Sequence, residues 1–163
     1  LKFDELGELF KEVLLFIQRN KLISQNIIYL MEGRCPMTHT GVKQGLESFV
    51  KNYNTAIGML KTNYLLDPLL NRKINLIVED TGQQYLLTLT EELATLEEGI
   101  SPWANADFAV DEKTWQRLLN GEINTISMVT AGKLYPKGDQ VLIVLRFGVI
   151  VQLLSLMLGG TKV

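Results

Sequence analysis

The run over 141–158 constrains this chain more than any other stretch. It is apolar apart from Arg146, Gln152 and Ser155. A helix that is apolar nearly all round must be covered nearly all round. At about 1.5 Å per residue the run approaches the lower limit for crossing a bilayer core. Arg146, a third of the way in, would be costly in lipid, and Gly148 weakens a helix in water. The run therefore reads as a helix buried in a protein interior, or one that touches a membrane during ligand exchange, rather than as a transmembrane span.

The residues before it form a regular series. The segment 106–110 alternates in the manner of a strand, with Phe108 and Val110 on one side. Asp111 is placed to cap a helix carrying Trp115, Leu118 and Leu119, and Gly121 stands where a helix end favours a left-handed residue. Asn124 or Thr125 caps a second short helix with Ile126, Met128 and Val129, which Gly132 ends. Residues 134–137 read as a brief strand, at an edge or very short because Pro136 has no donor.

Upstream, apolar residues at Leu6, Phe10, Val13 and Ile17 predict an amphipathic helix over 4–18 capped by Asp4, and 23–31 reads as a second helix. Cys35-Pro36-Met37-Thr38-His39-Thr40-Gly41 is a loop that Pro36 and Gly41 punctuate, and Thr40 could cap the next helix. Val42, Leu46, Phe49, Val50, Tyr53, Ile57, Leu60 and Tyr64 then fall on one face of a long helix that Asp67-Pro68 ends. The period changes at Lys73. Strands are predicted over 73–79, 84–90 and 93–98, joined by Asp80-Thr81-Gly82 and Glu91-Glu92.

At 163 residues, with 47% hydrophobic and 21% charged residues, the chain suits one globular domain, or one with an appendage. Sixteen basic and 18 acidic residues are spread along it without a basic, aromatic-rich cluster, which argues against nucleic-acid binding. Cys35 is the only cysteine, so no intrachain disulfide is available and a reducing, cytoplasmic location is expected. No secretory signal is visible, and a start at Leu1 rather than Met leaves room for residues before it.

The region 67–158 resembles the type-two sterol carrier protein family. The resemblance rests on Ala106-Asp107-Phe108-Ala109-Val110 followed by Asp111, on Leu119-Asn120-Gly121-Glu122-Ile123-Asn124, and on Ala131-Gly132-Lys133-Leu134-Tyr135-Pro136-Lys137-Gly138-Asp139. It implies an α/β fold with a mostly antiparallel five-stranded sheet, covered on one face by helices that enclose an apolar tunnel for a sterol, fatty acid or acyl ester. The chain departs from that pattern in its helical stretches before Val42 and in lacking a peroxisomal Ser-Lys-Leu ending.

The expected organisation is an N-terminal helical segment over 1–66 and a sterol-carrier-like domain over 67–163. The candidate ligand-binding residues are Trp115, Leu118, Leu119, Ile126, Met128 and Val129 from the short helices and Leu142, Leu145, Val149 and Leu153 from the last helix. Apolar pockets with few polar groups suit such ligands. The competing reading is that these side chains simply pack together.

No catalytic, metal or cofactor site is expected. Cys35 and His39 are four apart, but no second Cys or His completes a zinc set and no orienting partner makes Cys35 a nucleophile. Glu91-Glu92 and Glu97-Glu98 read as solvated ends of strands, and the terminal Gly159-Gly160-Thr161-Lys162 lacks the strand-to-helix context of a phosphate loop. The expected function is non-catalytic binding or transfer of a hydrophobic ligand, with transient membrane contact. The alternative is an interaction or accessory module whose interior is filled, with a homodimer as one form; the N-terminal helices could then supply its interface, or otherwise a lid.

Overall fold

The structure of the protein, a computed structural model, describes residues 41–60, 69–134, 136 and 140–158. The helices expected over 4–18 and 23–31, Cys35, His39 and the boundary between 66 and 67 lie outside these residues. The elements, in chain order, are α1 (Val42–Leu60), β1 (Arg72–Val78), β2 (Gln84–Leu89), β3 (Ala94–Glu98), β4 (Ala106–Val110), α2 (Glu112–Leu119), α3 (Thr125–Thr130) and α4 (Gln140–Leu158).

The strands form one sheet in the order β3-β2-β1-β4. β1 pairs antiparallel with β2, and β2 with β3, whereas β4 lies parallel to β1 with Leu76 opposite Phe108. The sheet is thus mostly antiparallel, as expected, but among the described residues it has four strands rather than five. Leu134 and Pro136 belong to no strand, and Tyr135 and Lys137 lie outside the described residues. Pro136 has no amide to donate to a ladder.

Side-chain alternation separates the two faces of the sheet. Ile74, Leu76 and Val78, Tyr85, Leu87 and Leu89, and Ala106, Phe108 and Val110 are all buried and in register on one face. Burying each large apolar side chain contributes about 1.5–3 kcal/mol. The opposite face carries the connection from β3 to β4. Buried Asn75 holds it there: its Nδ2 donates to the Ser101 carbonyl at 3.0 Å and to Asp107 Oδ1 at 2.7 Å, and its Oδ1 accepts the Ser101 amide at 2.9 Å.

α1 buries Val42, Leu46, Phe49, Tyr53 and Ala56, the face predicted from spacing. It also covers the β3 edge. Asn54 Oδ1 accepts the Ala94 amide at 2.6 Å while its Nδ2 donates to the Ala94 carbonyl at 3.1 Å, so the side chain stands in for a neighbouring strand at that residue. Lys43 reinforces the contact with an exposed ion pair to Glu98 at 2.6 Å. The hydrogen bond from Lys43 holds the Glu98 carboxyl below its ordinary value and raises the Lys43 ammonium in return.

α4 fulfils the demand of its sequence. Ile143, Val144, Leu145, Phe147, Val149, Ile150, Val151, Leu153 and Leu154 are all buried. No helix among the described residues is long and apolar enough to cross a membrane. Gly148 faces Thr125 at the start of α3, where a Cβ would overlap the threonine side chain. This proximity explains a glycine in mid-helix. The buried Thr125 hydroxyl donates to the Leu145 carbonyl at 3.3 Å. Gly148→Ala should therefore lower stability by about 1–3 kcal/mol even though alanine recovers up to about 1 kcal/mol of helix propensity. A urea melt checks this, and a midpoint equal to or above that of the parent would contradict the close approach.

Candidate functional site

The two short helices are fixed at both ends by the residues expected to fix them. Asp111 accepts the Thr114 amide at 2.9 Å and the Thr114 hydroxyl at 2.7 Å, capping α2. Asp80 accepts the Glu112 amide at 2.9 Å, satisfying another donor of the first turn. At the other end, the Glu122 amide returns to the Arg117 carbonyl at 2.9 Å and the Gly121 amide to Leu118 at 3.0 Å, with Gly121 at φ 73°. α3 repeats the device. Asn124, not Thr125, caps it by accepting the Ser127 amide at 2.7 Å, and Gly132 at φ 65° ends it. Thr125 is instead the first helical residue and turns inward.

These caps aim apolar faces toward α4 and the sheet. Trp115, Leu118, Leu119, Met128, Val149 and Leu153 belong to the continuous core, and Ile126 and Val129 are partly buried against it. Leu145 is fully buried behind Thr125. Leu142 stands apart, at 43% exposed. The structure therefore brings eight of the ten candidates to one core, buries the ninth beside it and leaves the tenth at the surface.

Aromatic rings cross this core. Phe49 and Phe147 meet edge to face at 5.4 Å, Phe147 and Phe108 at 5.9 Å, and Phe108 and Trp115 at 4.6 Å. Trp115 Nε1 donates to the Ile77 carbonyl at 2.9 Å, which satisfies its polar atom inside the domain. Tyr53 extends the row beyond Phe49 at 6.1 Å and donates to the Thr90 carbonyl at 3.3 Å. Burial pushes its phenol up to about 12, so it stays a neutral donor. Phe147 and Phe49 are absent from the candidates chosen on sequence. Spacing along α4 does not single out Phe147, because Leu145, Val149 and Leu153 make the same step of four on another face of an almost wholly apolar helix. Among the described residues no group of three or more His, Cys, Asp and Glu side chains is placed to hold a metal ion.

A four-stranded mixed sheet covered on one face by helices, with two short capped helices leading into a long apolar one, is the sterol-carrier-like fold. The UbiJ-SCP2 ubiquinone synthesis protein superposes with a TM-score of 0.52 at 17% identity, covering 68% of this chain and 88% of its own. Palmitated SCP2L2 from Aedes aegypti gives 0.45 at 14% identity, covering 64% of this chain and 92% of its own. The inverting sec-alkylsulfatase Pisa1 from Pseudomonas sp. gives 0.42 at 21% identity, but the match takes in 51% of this chain and 14% of that enzyme. No protein-family model and no curated protein matches the sequence. The likeness is one of fold.

The capping of α2 sets the position of Trp115. Its hydrogen bonds, first from the Thr114 hydroxyl and then from the Thr114 amide, hold the Asp111 carboxyl below the usual aspartate range. Asp111→Ala should cost about 1 kcal/mol at neutral pH. A group whose folded-state pKa lies below its unfolded value contributes fully above the unfolded value and loses that contribution as pH falls through the folded one. Urea melts of parent and variant should accordingly converge in acid, and a gap that widens there would contradict this role.

Proposed function

We propose that this protein is a non-catalytic binder or carrier of a hydrophobic ligand, a fatty acyl chain, sterol-like molecule or related lipid, held between the sheet and helices α2, α3 and α4. One observation carries the reading: on a sterol-carrier-like scaffold, the last helix is buried on nearly every face and the two short helices over it turn Trp115, Leu118, Leu119 and Met128 inward. Each methylene moved from water into such a layer is worth about 0.8 kcal/mol, so part of an acyl chain suffices for binding. Trp115, Leu118, Leu119, Ile126, Met128, Val129, Leu145, Val149 and Leu153 line the site, with Leu142 at its mouth.

Exchange proceeds by outward movement of the short helices, insertion of the chain and closure, with brief contact at a membrane surface. Residues 67–163 form the binding domain, and the segment 1–66 is its helical appendage, with α1 bracing one flank. The single cysteine, Cys35, suits a reducing compartment such as the cytoplasm.

A second reading has its own support. The rings of Phe49, Phe147, Phe108 and Trp115 already occupy the centre of the domain. In that reading the scaffold is an accessory or interaction module, self-paired or joined to another domain, and takes no ligand.

Native mass spectrometry of the purified protein, with organic extraction of the same sample, separates the two. The expected result is a stoichiometric lipid that leaves on extraction. A ligand-free mass, together with no binding of a fluorescent fatty acid, would overturn the carrier reading, and the same spectrum would report a dimer.

A further inference from the structure

We propose that the row Phe49, Phe147, Phe108 and Trp115 is a partition that limits the acyl ligand to a medium-length chain. This inference rests on the carrier reading above. The four rings come from α1, α4, β4 and α2, so the row runs between the elements that enclose the core on several sides. Consecutive centroids lie 5.4, 5.9 and 4.6 Å apart, all edge to face. Rings at these separations are in mutual contact and leave no width for a polymethylene chain between them. All four are buried, which prevents them from swinging into solvent to make way.

The row also stands at a defined depth. Phe108 is the middle residue of β4 and lies opposite Leu76, the fifth of the seven residues of β1. At about 3.3 Å per residue the four steps from Arg72 to Leu76 measure about 13 Å, so a chain that enters at the Arg72 end of β1 is stopped after about ten extended carbons. A second seam among the described residues, between α3 and α4, is shut by the contact of Thr125 with Gly148. A long chain can follow neither route without displacing a buried side chain.

The test is a panel of saturated fatty acids from hexanoate to octadecanoate, used below their micelle-forming concentrations, displacing 1-anilinonaphthalene-8-sulfonate from the parent protein and from Phe147→Leu. The expected affinity rises about fourfold per methylene up to about decanoate and then levels off, with octadecanoate within about tenfold of decanoate. Uninterrupted burial of the further methylenes would add roughly ten-thousandfold or more. In Phe147→Leu, its fold checked by circular dichroism, the break moves out by about one carbon, the space given up by the ring.

An unbroken rise to octadecanoate in the parent would overturn the partition while leaving the carrier reading intact. A folded Phe147→Leu that breaks at the same length as the parent would remove Phe147 from the role. A parent that releases the probe to no fatty acid would overturn the carrier reading, and this inference with it. The parent profile alone decides the first and last of these outcomes, even if the variant fails to fold.

Discussion

Phe147 is where the last helix, the first helix and the sheet meet. Its ring lies 5.4 Å from that of Phe49 on α1 and 5.9 Å from that of Phe108 on β4. A helix as apolar as α4 has no polar face to show to water, so it must be enclosed. The sheet covers one side, α1 and α2 flank it, and α3 crosses it at Gly148. Shape imposes a second requirement. Close-packed interiors tolerate few voids, so where α1 passes α2 a Cβ at Gly45 would lie 2.7 Å from Leu119 Cδ1, and where α3 passes α4 there is room for no side chain at residue 148.

Polar groups brought into this enclosure are matched individually. Asn75 holds both backbone groups of Ser101, Asn54 holds both backbone groups of Ala94, and Trp115 donates to the Ile77 carbonyl. Each match removes the penalty of a buried or edge amide left without a partner. Arg146 is half-buried, with its Nε and Nη1 shielded from solvent, and its neighbours along α4 include Ile143, Val149 and Ile150. The long aliphatic stem of an arginine allows its charge to be carried on an otherwise apolar helix.

Much of this was legible in the sequence because it is written in local chemistry. Asp111 before a helix, Gly121 and Gly132 after helices, and the alternation of Tyr85, Leu87 and Leu89 each act within a few residues of themselves. The heptad-like spacing of Val42, Leu46, Phe49 and Tyr53 likewise needs no partner to be read. What escaped is set by contacts distant in the chain. The central position of Phe147 depends on Phe49 and Phe108, and the inward turn of Thr125 depends on Gly148, so neither can be read from its own neighbours. Spacing could not distinguish Leu142 from Leu145 either, because the surface limit of the core depends on where the helices sit.

The crossover held by Asn75 has a consequence for the order in which the fold assembles. β1, β2 and β3 are joined by tight turns and can pair while the chain between them is short. β4 must find β1 across the whole length of the intervening strands and the connection beyond them, and it does so in parallel. Distant pairings of this kind bear the larger loop-closure entropy and slow the folding of small domains. The Asn75–Ser101 contact spans 26 residues, fewer than separate the paired residues of β1 and β4, so it closes the shorter of the two loops that the crossover requires.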